Sequence, residues 1–541
     1  MKKNVCLLAA FLIAVALSAP PASACTNILV TRGASADGST FISYAADSHE
    51  LYGELYYTPP GVHAPGEMRD IIEWDTGKLL GRIAQAPVTY SVVGNMNEHQ
   101  VSVGETTFTG REELAGPAGI VDYGSLMYIA LERATSARDA IRVMTDLVAE
   151  YGYASTGESF SVSDPDEVWL LEMIGKGEGE KGAVWVARRI PDGFISAHAN
   201  QARIRTFPLN DPDNCLYAPD VISFARDKGW FDGKDEDFSF ADTYAPPDFG
   251  ALRFCEARVW SVFRRAAPSM TFDEAYVKGD TTATPLPLWI RPDAKIGLRD
   301  AFALMRDHFE GTDLDMTGDV GAGPFKLPYR WRPMTWKIDG ATYLNERAIS
   351  TQQTGFSFVA QGRRWMPDPV GGVLWFGLDD TFTTVYTPMY CGIRSVPKSF
   401  AVGTADFSAF SWDSAFWTFN FVANWAYSRY SDMIVDIQKV QWELESRFIA
   451  DQPEVEKAAL ALYAQAPSLA RDYLTAYSVS QGDAVTARWR KLGEFLLWKY
   501  MDGNVRDELG GVTHPRYPDD WYRRIAQDHG DVVAVPETPE H

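Results

Sequence analysis

The stretch ASACTNILVT, residues 22–31, decides how this sequence is interpreted, because it joins a cleavage signal to the start of a strand. Ala22-Ser23-Ala24 places small residues where a signal peptidase requires them. Residues 26–31 form a short run rich in β-branched and apolar side chains, which is typical of a strand. Between these two features stands Cys25. Cleavage after Ala24 therefore leaves a chain that begins with a cysteine and leads directly into a strand.

The residues ahead of Cys25 have the pattern of a secretory signal peptide over positions 1–24. Lys2 and Lys3 give a basic start, residues 7–17 form an apolar run, and Pro20-Pro21 breaks the chain after it. This apolar run is shorter than the roughly 20 residues that a membrane-spanning helix needs. The pattern predicts removal of residues 1–24 and export of the protein to the periplasm or to the outside of the cell.

Four interpretations of Cys25 are open from its position alone. It could pair in a disulfide, since export leads to an oxidising compartment. It could carry a lipid, although Ala22 stands where lipoprotein signals usually have Leu. It could act as an N-terminal nucleophile, with its own α-amino group as the general base, since such an amine titrates at roughly 7.7–8.0. It could also have no special role.

Composition excludes several other classes of protein. The chain has 541 residues, of which 46% are hydrophobic, so a large folded core is expected and global disorder is excluded. The net charge of −22 repels phosphate backbones and argues against a nucleic-acid partner. No apolar run beyond the first 20 residues is long enough to span a membrane. A large acidic globular enzyme remains.

Hydrophobic periodicity predicts an α+β core. Strand-like runs at 26–31 and 40–44 flank an Asp37-Gly38 turn, and further strands are predicted at 88–93, 100–107 and 167–172. Between them, apolar side chains recur every three or four residues over 123–151, which indicates two helices. A group of strands, then helices, then strands again favours a layered α+β enzyme core.

The second half of the chain differs in composition and in predicted secondary structure. Residues 210–247 are predicted to be irregular, 300–308 helical, and 351–386 to contain strands. Residues 412–450 and 454–501 have the composition of long amphipathic helices. We therefore divide the chain into a signal peptide at 1–24, a catalytic core with insertions at 25–405 and a helical region packed on the core at 406–541. The end of the chain, 536–541, is expected to fray.

Several segments match one family pattern in register along nearly the whole chain. They are CTNILV (25–30), ADGST (36–40), DS (47–48), NEHQV (97–101), ANQARI (199–204), EGT (310–312), DMT (315–317), AGPF (322–325), ISTQQT (349–354) and DSAFW (413–417). Together they resemble the C69 dipeptidases, which are N-terminal nucleophile (Ntn) hydrolases related to penicillin V acylase and bile salt hydrolase. Gln100 is a departure, because the family usually has Gly there.

This resemblance implies a four-layer αββα Ntn-hydrolase sandwich, in which two antiparallel sheets pack between helical layers, with additional long C-terminal helices. It implies an exported cysteine-nucleophile dipeptidase that hydrolyses the amide bond of dipeptides or short peptides. No cofactor, metal, nucleic acid or stable membrane span is expected. The alternatives are an Ntn amidase for a non-peptide amide and a lipid-anchored binding protein without activity. The preferred dipeptides and the oligomeric state stay open, and a homo-oligomer is possible.

The resemblance also implies roles for four residues. The Cys25 thiol would attack the scissile carbonyl, and Asp47 would orient the α-amine of Cys25. Asn200 would donate to the oxyanion, and Arg258 would be the active-site arginine, with Arg264 as the competing candidate. Each of the last three residues also has a purely structural alternative. Asp47 could cap a turn, Asn200 could occupy a turn at the end of a strand, and the arginine could form a surface salt bridge.

A second oxyanion donor is expected in residues 104–107, near Glu105-Thr106, and is not assigned to a side chain. The eight histidines have neither an HExxH nor an HxH spacing, so no metal site is predicted. The sequence also lacks a GxSxG elbow and a P-loop. Pairing among Cys215, Cys255 and Cys391 stays open.

One departure from the family concerns charge beside the nucleophile. Where the family usually has Arg three residues before the aspartate, this chain has Tyr44, and Ala46 replaces Glu. One cation and one anion are thus lost. Either recognition of charge differs here, or Arg258 or Arg32 compensates for the missing arginine. This departure leaves the expected type of reaction unchanged, but it weakens the inference about which substrates are preferred.

Overall fold

A computed structural model describes residues 25–116 and 118–536 of the chain. The predicted signal peptide at 1–24 and residues 537–541 of the predicted tail lie outside the described residues. Two antiparallel sheets form the centre of the protein. Their strands are, in chain order, β1 (Asn27–Val30), β2 (Thr40–Asp47), β3 (Tyr57–Thr58), β4 (Val92–Val93), β5 (Met96–Asn97), β6 (Ser102–Phe108), β7 (Gly157–Ser163), β8 (Val168–Gly175), β9 (Ala183–Arg189), β10 (Ile195–His198), β11 (Cys215–Tyr217), β12 (Trp289–Ile290), β13 (Thr354–Gly362), β14 (Val373–Leu378) and β15 (Thr387–Tyr390).

The hairpin predicted around Asp37-Gly38 is confirmed. β1 and β2 pair antiparallel, with Leu29 opposite Ile42. Gly38 has a φ of 81°, a left-handed conformation that glycine adopts without a steric penalty. β2 then continues to Asp47, three residues beyond the predicted end of the strand. The hairpin therefore places the residue before β1 close to the last residues of β2.

β1 and β2 lie in the middle of a seven-stranded sheet with the order β12-β10-β1-β2-β13-β14-β15. The second sheet has eight strands in the order β11-β9-β8-β7-β6-β5-β4-β3. β1 and β2 face β6, β7 and β8 of the second sheet across a shared core. Within the described residues, four two-stranded sheets lie outside these two, at 61–62 with 88–89, 68–72 with 79–84, 335–338 with 341–344 and 505–506 with 512–513.

Successive side chains of β8 belong to two different hydrophobic cores, which explains why this strand is apolar on both faces. Leu170 and Ile174 belong to the core between the sheets, whereas Trp169, Leu171 and Met173 belong to a second core under helices. Successive side chains of a strand point to opposite faces, so a strand between two cores needs apolar residues at every position.

The helices are α1 (Tyr123–Arg133), α2 (Ala137–Tyr151), α3 (Ser223–Asp227), α4 (Phe240–Tyr244), α5 (Ala257–Ala266), α6 (Glu274–Val277), α7 (Leu298–Met305), α8 (Asp368–Gly371), α9 (Ala415–Tyr427), α10 (Tyr430–Tyr463), α11 (Pro467–Tyr500) and α12 (Asp519–Val533). A π-helical turn at Ala251–Glu256 leads into α5. The side chains of Asp122 and Ser136 cap the N-termini of α1 and α2.

Helices cover both sheets. α1 and α2 pack on the eight-stranded sheet, while α5, α7, α9, α10 and α11 contact strands of the seven-stranded sheet. The α+β class predicted from the sequence is therefore confirmed, as are the two helices within 123–151. No helix among residues 25–116 and 118–536 combines the length and apolarity that a membrane crossing requires.

The breaks between the C-terminal helices differ from the prediction. We expected an interruption between residues 450 and 454, but α10 continues through Pro453 to Tyr463. A proline inside a helix removes one main-chain hydrogen bond and destabilises the helix by about 3 kcal/mol relative to alanine. Packing of α10 along α11 offsets this cost. The chain instead turns at Ser428-Arg429 and again at residues 464–466.

Candidate active site

Cys25 lies immediately before β1 and is buried between the two sheets, with 2% of its surface exposed. Its Sγ is 3.7 Å from Glu105 Oε1 and 3.8 Å from Tyr44 Oη. The main-chain N–H of Asp47 also donates to the sulfur. Burial, together with the negative charges of Glu105 and Asp47, raises the pKa of the Cys25 thiol well above its usual value. A base must therefore remove the thiol proton before the sulfur can attack a carbonyl.

Asp47 ends β2 and is buried beside Cys25. Its carboxylate accepts a 2.6 Å hydrogen bond from Arg347 Nη2 and another of 2.6 Å from Thr354 Oγ1. Burial raises the pKa of Asp47, and the positive charge of Arg347 opposes that rise. Thr354 is the register partner of Asp47 on β13, so the sheet itself aligns this pair.

Arg258 on α5 connects Cys25 to the loop after β10. Its Nη1 donates to the main-chain carbonyl of Cys25 at 2.6 Å and to Thr26 Oγ1 at 2.8 Å. Its Nη2 donates to Asn200 Oδ1 at 2.8 Å. Burial lowers the pKa of Arg258 to about 10, which leaves it positively charged at neutral pH. The competing candidate, Arg264, instead contacts Ser261 and Asp307.

Asn200 follows β10 and is held through both ends of its side-chain amide. Oδ1 accepts from Arg258, and Nδ2 donates to the carbonyl oxygen of Thr107 on β6 at 2.7 Å. Its φ of 60° lies in the left-handed region, which Asn tolerates better than most residues. The backbone conformation and both contacts therefore fix the orientation of this amide.

The ANQARI segment that carries Asn200 is anchored by buried acids. Glu172 on β8 accepts from the main-chain N–H of Arg203 at 2.5 Å and from that of Ile204 at 2.9 Å. The Arg203 guanidinium is paired with Glu256 at 2.9 Å. Burial raises the pKa of Glu172 to about 7. These contacts hold the chain after β10 against the second sheet.

Two further buried acids, Glu105 and Glu158, lie near the sulfur, and Glu105 contacts it directly. Tyr44 donates to Glu105 Oε1 at 2.5 Å, and the carboxyl groups of Glu105 and Glu158 hydrogen-bond to each other. Thr107 Oγ1 donates to Glu158 Oε1 at 2.8 Å. Burial raises the pKa of both glutamates, and mutual repulsion adds to the rise for Glu158. The residue range predicted to supply a second oxyanion donor thus brings a carboxyl side chain to the nucleophile.

His198, at the end of β10, is a neutral part of this network. Its Nδ1 is 2.7 Å from Thr106 Oγ1, and its Nε2 is 2.7 Å from Ser161 Oγ. Burial and the nearby arginines lower the pKa of His198 to about 3. It therefore bridges the two sheets as an uncharged imidazole and is unsuited to act as a base at neutral pH.

The structure brings together the four residues that the sequence nominated, Cys25, Asp47, Asn200 and Arg258. Arg32 lies elsewhere, because its guanidinium pairs with Asp166 at 3.2 Å. No group of three or more His, Cys, Asp or Glu suited to a metal ion occurs among residues 25–116 and 118–536. The four cysteines in that part of the chain are all free thiols.

Sequence reasoning missed three side chains of this site. Arg347, which pairs with Asp47, stands two residues before the ISTQQT segment. The side chain of Glu105 and that of Glu158 were not nominated either. No clear signal in the sequence marks Glu158, because four of the seven residues in its strand, GESFSVS, are polar and the complete burial of that strand is visible only in the structure. A lone acid in a strand buried on both faces needs a partner or a function.

The family model described as "Peptidase family C69" matches residues 64–443, which is more than half of the chain. The chain belongs to peptidase family C69. It is thus a peptidase of the cysteine type, and the family that the sequence motifs resembled is confirmed. The matched region includes Asn200, Arg258, Arg347 and both buried glutamates.

Curated relatives agree with this family assignment. A protein named "Probable dipeptidase" from Salmonella dublin is 27% identical over 69% of this chain and 82% of its own length. A "Probable dipeptidase A" from Streptococcus pyogenes is 24% identical over 81% of this chain and 90% of its own length. A "Dipeptidase A" from Lactobacillus helveticus is 24% identical over 69% of this chain and 77% of its own length. All three are thus similar to this C69 peptidase over most of their length.

Proposed function

We propose that this C69 peptidase is an exported dipeptidase that uses Cys25 as an N-terminal nucleophile. The observation that carries the proposal is the convergence of Asp47, Arg258 and Glu105 on Cys25, which directly follows a predicted signal-peptidase site. The dipeptidase names of the relatives support the substrate class.

In the proposed reaction, cleavage after Ala24 frees the α-amine of Cys25, which takes the proton of the thiol. The thiolate attacks the scissile carbonyl and forms a tetrahedral oxyanion. Collapse breaks the C–N bond, and the proton passes from the α-ammonium group to the leaving amine. Water, deprotonated by the same amine, then attacks the thioester carbonyl and releases the acid product together with the free thiol.

The surrounding residues have separate roles in this proposal. Asp47 orients the α-amine, and the ion pair with Arg347 holds that carboxylate in place and opposes the rise in its pKa that burial causes. Asn200 donates to the oxyanion, and the contacts with Arg258 and Thr107 hold its amide in place beforehand. A donor that is oriented before reaction is worth more than one that must reorganise.

We propose the four-layer Ntn-hydrolase sandwich as the framework of the site. The two facing sheets and the helices that contact each of them support that arrangement. The long helices α9, α10 and α11 would then be additions to the seven-stranded side. Export to the periplasm or beyond rests on the sequence of residues 1–24 alone.

Intact mass and N-terminal sequencing of the exported protein, combined with a dipeptide-library assay, test this proposal. We expect a chain that begins at an unmodified Cys25 and hydrolyses dipeptides. An added diacylglyceryl group on an inactive chain would favour the lipid-anchored binding protein. Hydrolysis of acylated amino acids without hydrolysis of dipeptides would favour the non-peptide amidase.

A further inference from the structure

An acidic cluster runs from the surface to the sulfur of Cys25. Asp75 is exposed and accepts a 3.0 Å hydrogen bond from the half-buried Tyr123. Its negative charge raises the pKa of both Glu105 and Glu158, so the three carboxyl groups interact electrostatically. Glu105 is 2% exposed and Glu158 is 0% exposed. The cluster thus begins at solvent and ends 3.7 Å from the nucleophile.

The two buried glutamates lack a positive partner within the part of the chain that the structure describes. No Lys, Arg or His side chain there forms an ion pair with either of them, in contrast to Asp47, which is paired with Arg347. Apart from the Glu105–Glu158 contact itself, Oε2 of each carboxyl group is buried without a hydrogen-bond donor. Buried acids are normally paired, because an uncompensated charge is expensive to desolvate.

The net charge of the Glu105–Glu158 pair indicates that it lacks a cation. Two carboxyl groups in hydrogen-bond contact share one proton when both are buried, because two adjacent negative charges repel each other. The pair then carries a net charge of −1. One monovalent cation with several N–H donors would neutralise it and satisfy the remaining oxygens.

A dipeptide supplies that cation at the required position. The α-amino nitrogen of a peptide is about 2.5 Å from the carbonyl carbon of the same residue, by standard bond lengths and angles. A carbonyl carbon poised for attack lies about 3–3.5 Å from the nucleophile. An ammonium group bonded to Glu105 at about 2.8 Å is compatible with both distances, since Glu105 Oε1 is 3.7 Å from Sγ.

We propose that Glu105 and Glu158 bind the free α-ammonium group of the substrate and make a free N-terminus a requirement for cleavage. This inference rests on the proposed function, because it names the part of a dipeptide that the same site recognises. Tyr44 fits this role: its hydroxyl donates to Glu105, and it brings no competing positive charge. An arginine at this position would neutralise the pair in place of the substrate.

The test compares L-Ala-L-Ala with N-propionyl-L-alanine, which differs from it by the absence of the α-amino group. We expect the mature wild-type enzyme to prefer L-Ala-L-Ala by at least about 100-fold in kcat/KM, because a buried charged site rejects an analogue that leaves it unpaired. In Glu158→Gln the preference should fall by about 10- to 100-fold, mainly through a lower kcat/KM for L-Ala-L-Ala.

A matched control is Glu132→Gln, which neutralises another buried glutamate, on α1, that pairs with Arg69. This variant should keep the wild-type preference. Equal kcat/KM for the two substrates in the wild type would overturn the inference, whether or not Glu158→Gln folds.

The remaining outcomes separate this inference from the proposed function. An equal loss for both substrates in Glu158→Gln would mean that the two glutamates do not recognise the ammonium group of the substrate, which contradicts the inference and leaves the dipeptidase intact. Failure of the wild type to hydrolyse either substrate through Cys25 would contradict the proposed function and the inference with it.

Discussion

Arg258 Nη1 donates a 2.6 Å hydrogen bond to the main-chain carbonyl of Cys25, which lies 233 positions earlier in the sequence. The other terminal nitrogen of the same guanidinium binds Asn200 Oδ1 at 2.8 Å. One rigid planar group therefore sets the position of the proposed nucleophile relative to the proposed oxyanion donor. A flexible lysine has no equivalent forked geometry.

Arg258→Lys should lower kcat by at least about tenfold while the protein stays folded. The charge is kept, but an ammonium group on a flexible stem does not hold Cys25 and Asn200 at the same time, and misplacement by about 1 Å can cost about 100-fold. Steady-state kinetics with a dipeptide measure the effect. Arg264→Lys is the control, because Arg264 contacts Ser261 and Asp307 instead. A larger loss in Arg264→Lys than in Arg258→Lys would exchange the roles of the two arginines.

Cys25→Ser should retain the fold and lose most of the activity. Serine is nearly isosteric with cysteine, but its hydroxyl is far less acidic, so an α-amine deprotonates it poorly. Circular dichroism and thermal unfolding check the fold, and dipeptide hydrolysis checks the activity. Wild-type turnover by this variant would show that Cys25 is not the nucleophile.

A chain with residues left ahead of Cys25 should be nearly inactive, since an amide nitrogen cannot accept the thiol proton. The raised pKa of the buried thiol makes this dependence strong, because few thiolates form without a base. The measurement compares a tagged protein before and after removal of the extension, with both masses confirmed. Full activity of the extended protein would exclude the α-amine as base and leave another cysteine mechanism open.

Asp379→Asn should reduce the loss of stability that accompanies a rise in pH. Burial raises the pKa of Asp379 to about 8, against roughly 4 in an unfolded chain. The folded state therefore binds the extra proton, and stability falls as pH rises between about 4 and 8, by at most about 1.4 kcal/mol per pH unit for one group.

Asparagine is a conservative replacement at position 379. It tolerates the φ of 65° found there, and its oxygen is able to accept the 2.9 Å hydrogen bond from Asn420. Urea unfolding at pH 5 and pH 8 measures the effect, and the variant should gain stability relative to the wild type at the higher pH. Parallel curves for the two proteins would show that Asp379 does not titrate in this range.

Local patterns predicted the parts of the fold that depend on neighbouring residues. The hairpin of β1 and β2 follows from two strand-like runs and an Asp-Gly turn, and α1 and α2 follow from their helical periodicity. The break expected between residues 450 and 454 was wrong, because α10 continues through Pro453 to Tyr463 while it packs along α11. Local propensity decides an element only where packing does not override it.

The residues of the candidate site also fall into two groups: those that a local sequence pattern predicts and those that only tertiary pairing brings together. Cys25 was found because a cleavage site marks it, and Asp47 and Asn200 because they stand in family motifs. Arg347 meets Asp47 only through the pairing of β2 with β13, some 300 positions away in the chain. The contact between Glu105 and Glu158 likewise requires the register of β6 against β7. No local signal carries such pairings.

Asn200→Ala should lower kcat far more than it raises KM, because a donor to the oxyanion acts most strongly in the transition state. Loss of one donor typically costs about 10²–10³ in rate, equivalent to roughly 3–4 kcal/mol. Asn200→Asp should be slower still, since a carboxylate repels the developing negative charge. Removal of the Asn200 side chain also deletes the contacts with Thr107 and Arg258, so thermal unfolding must accompany the kinetics. A variant with a lowered Tm but normal kcat per folded molecule would make Asn200 a structural turn residue and leave the oxyanion to other donors.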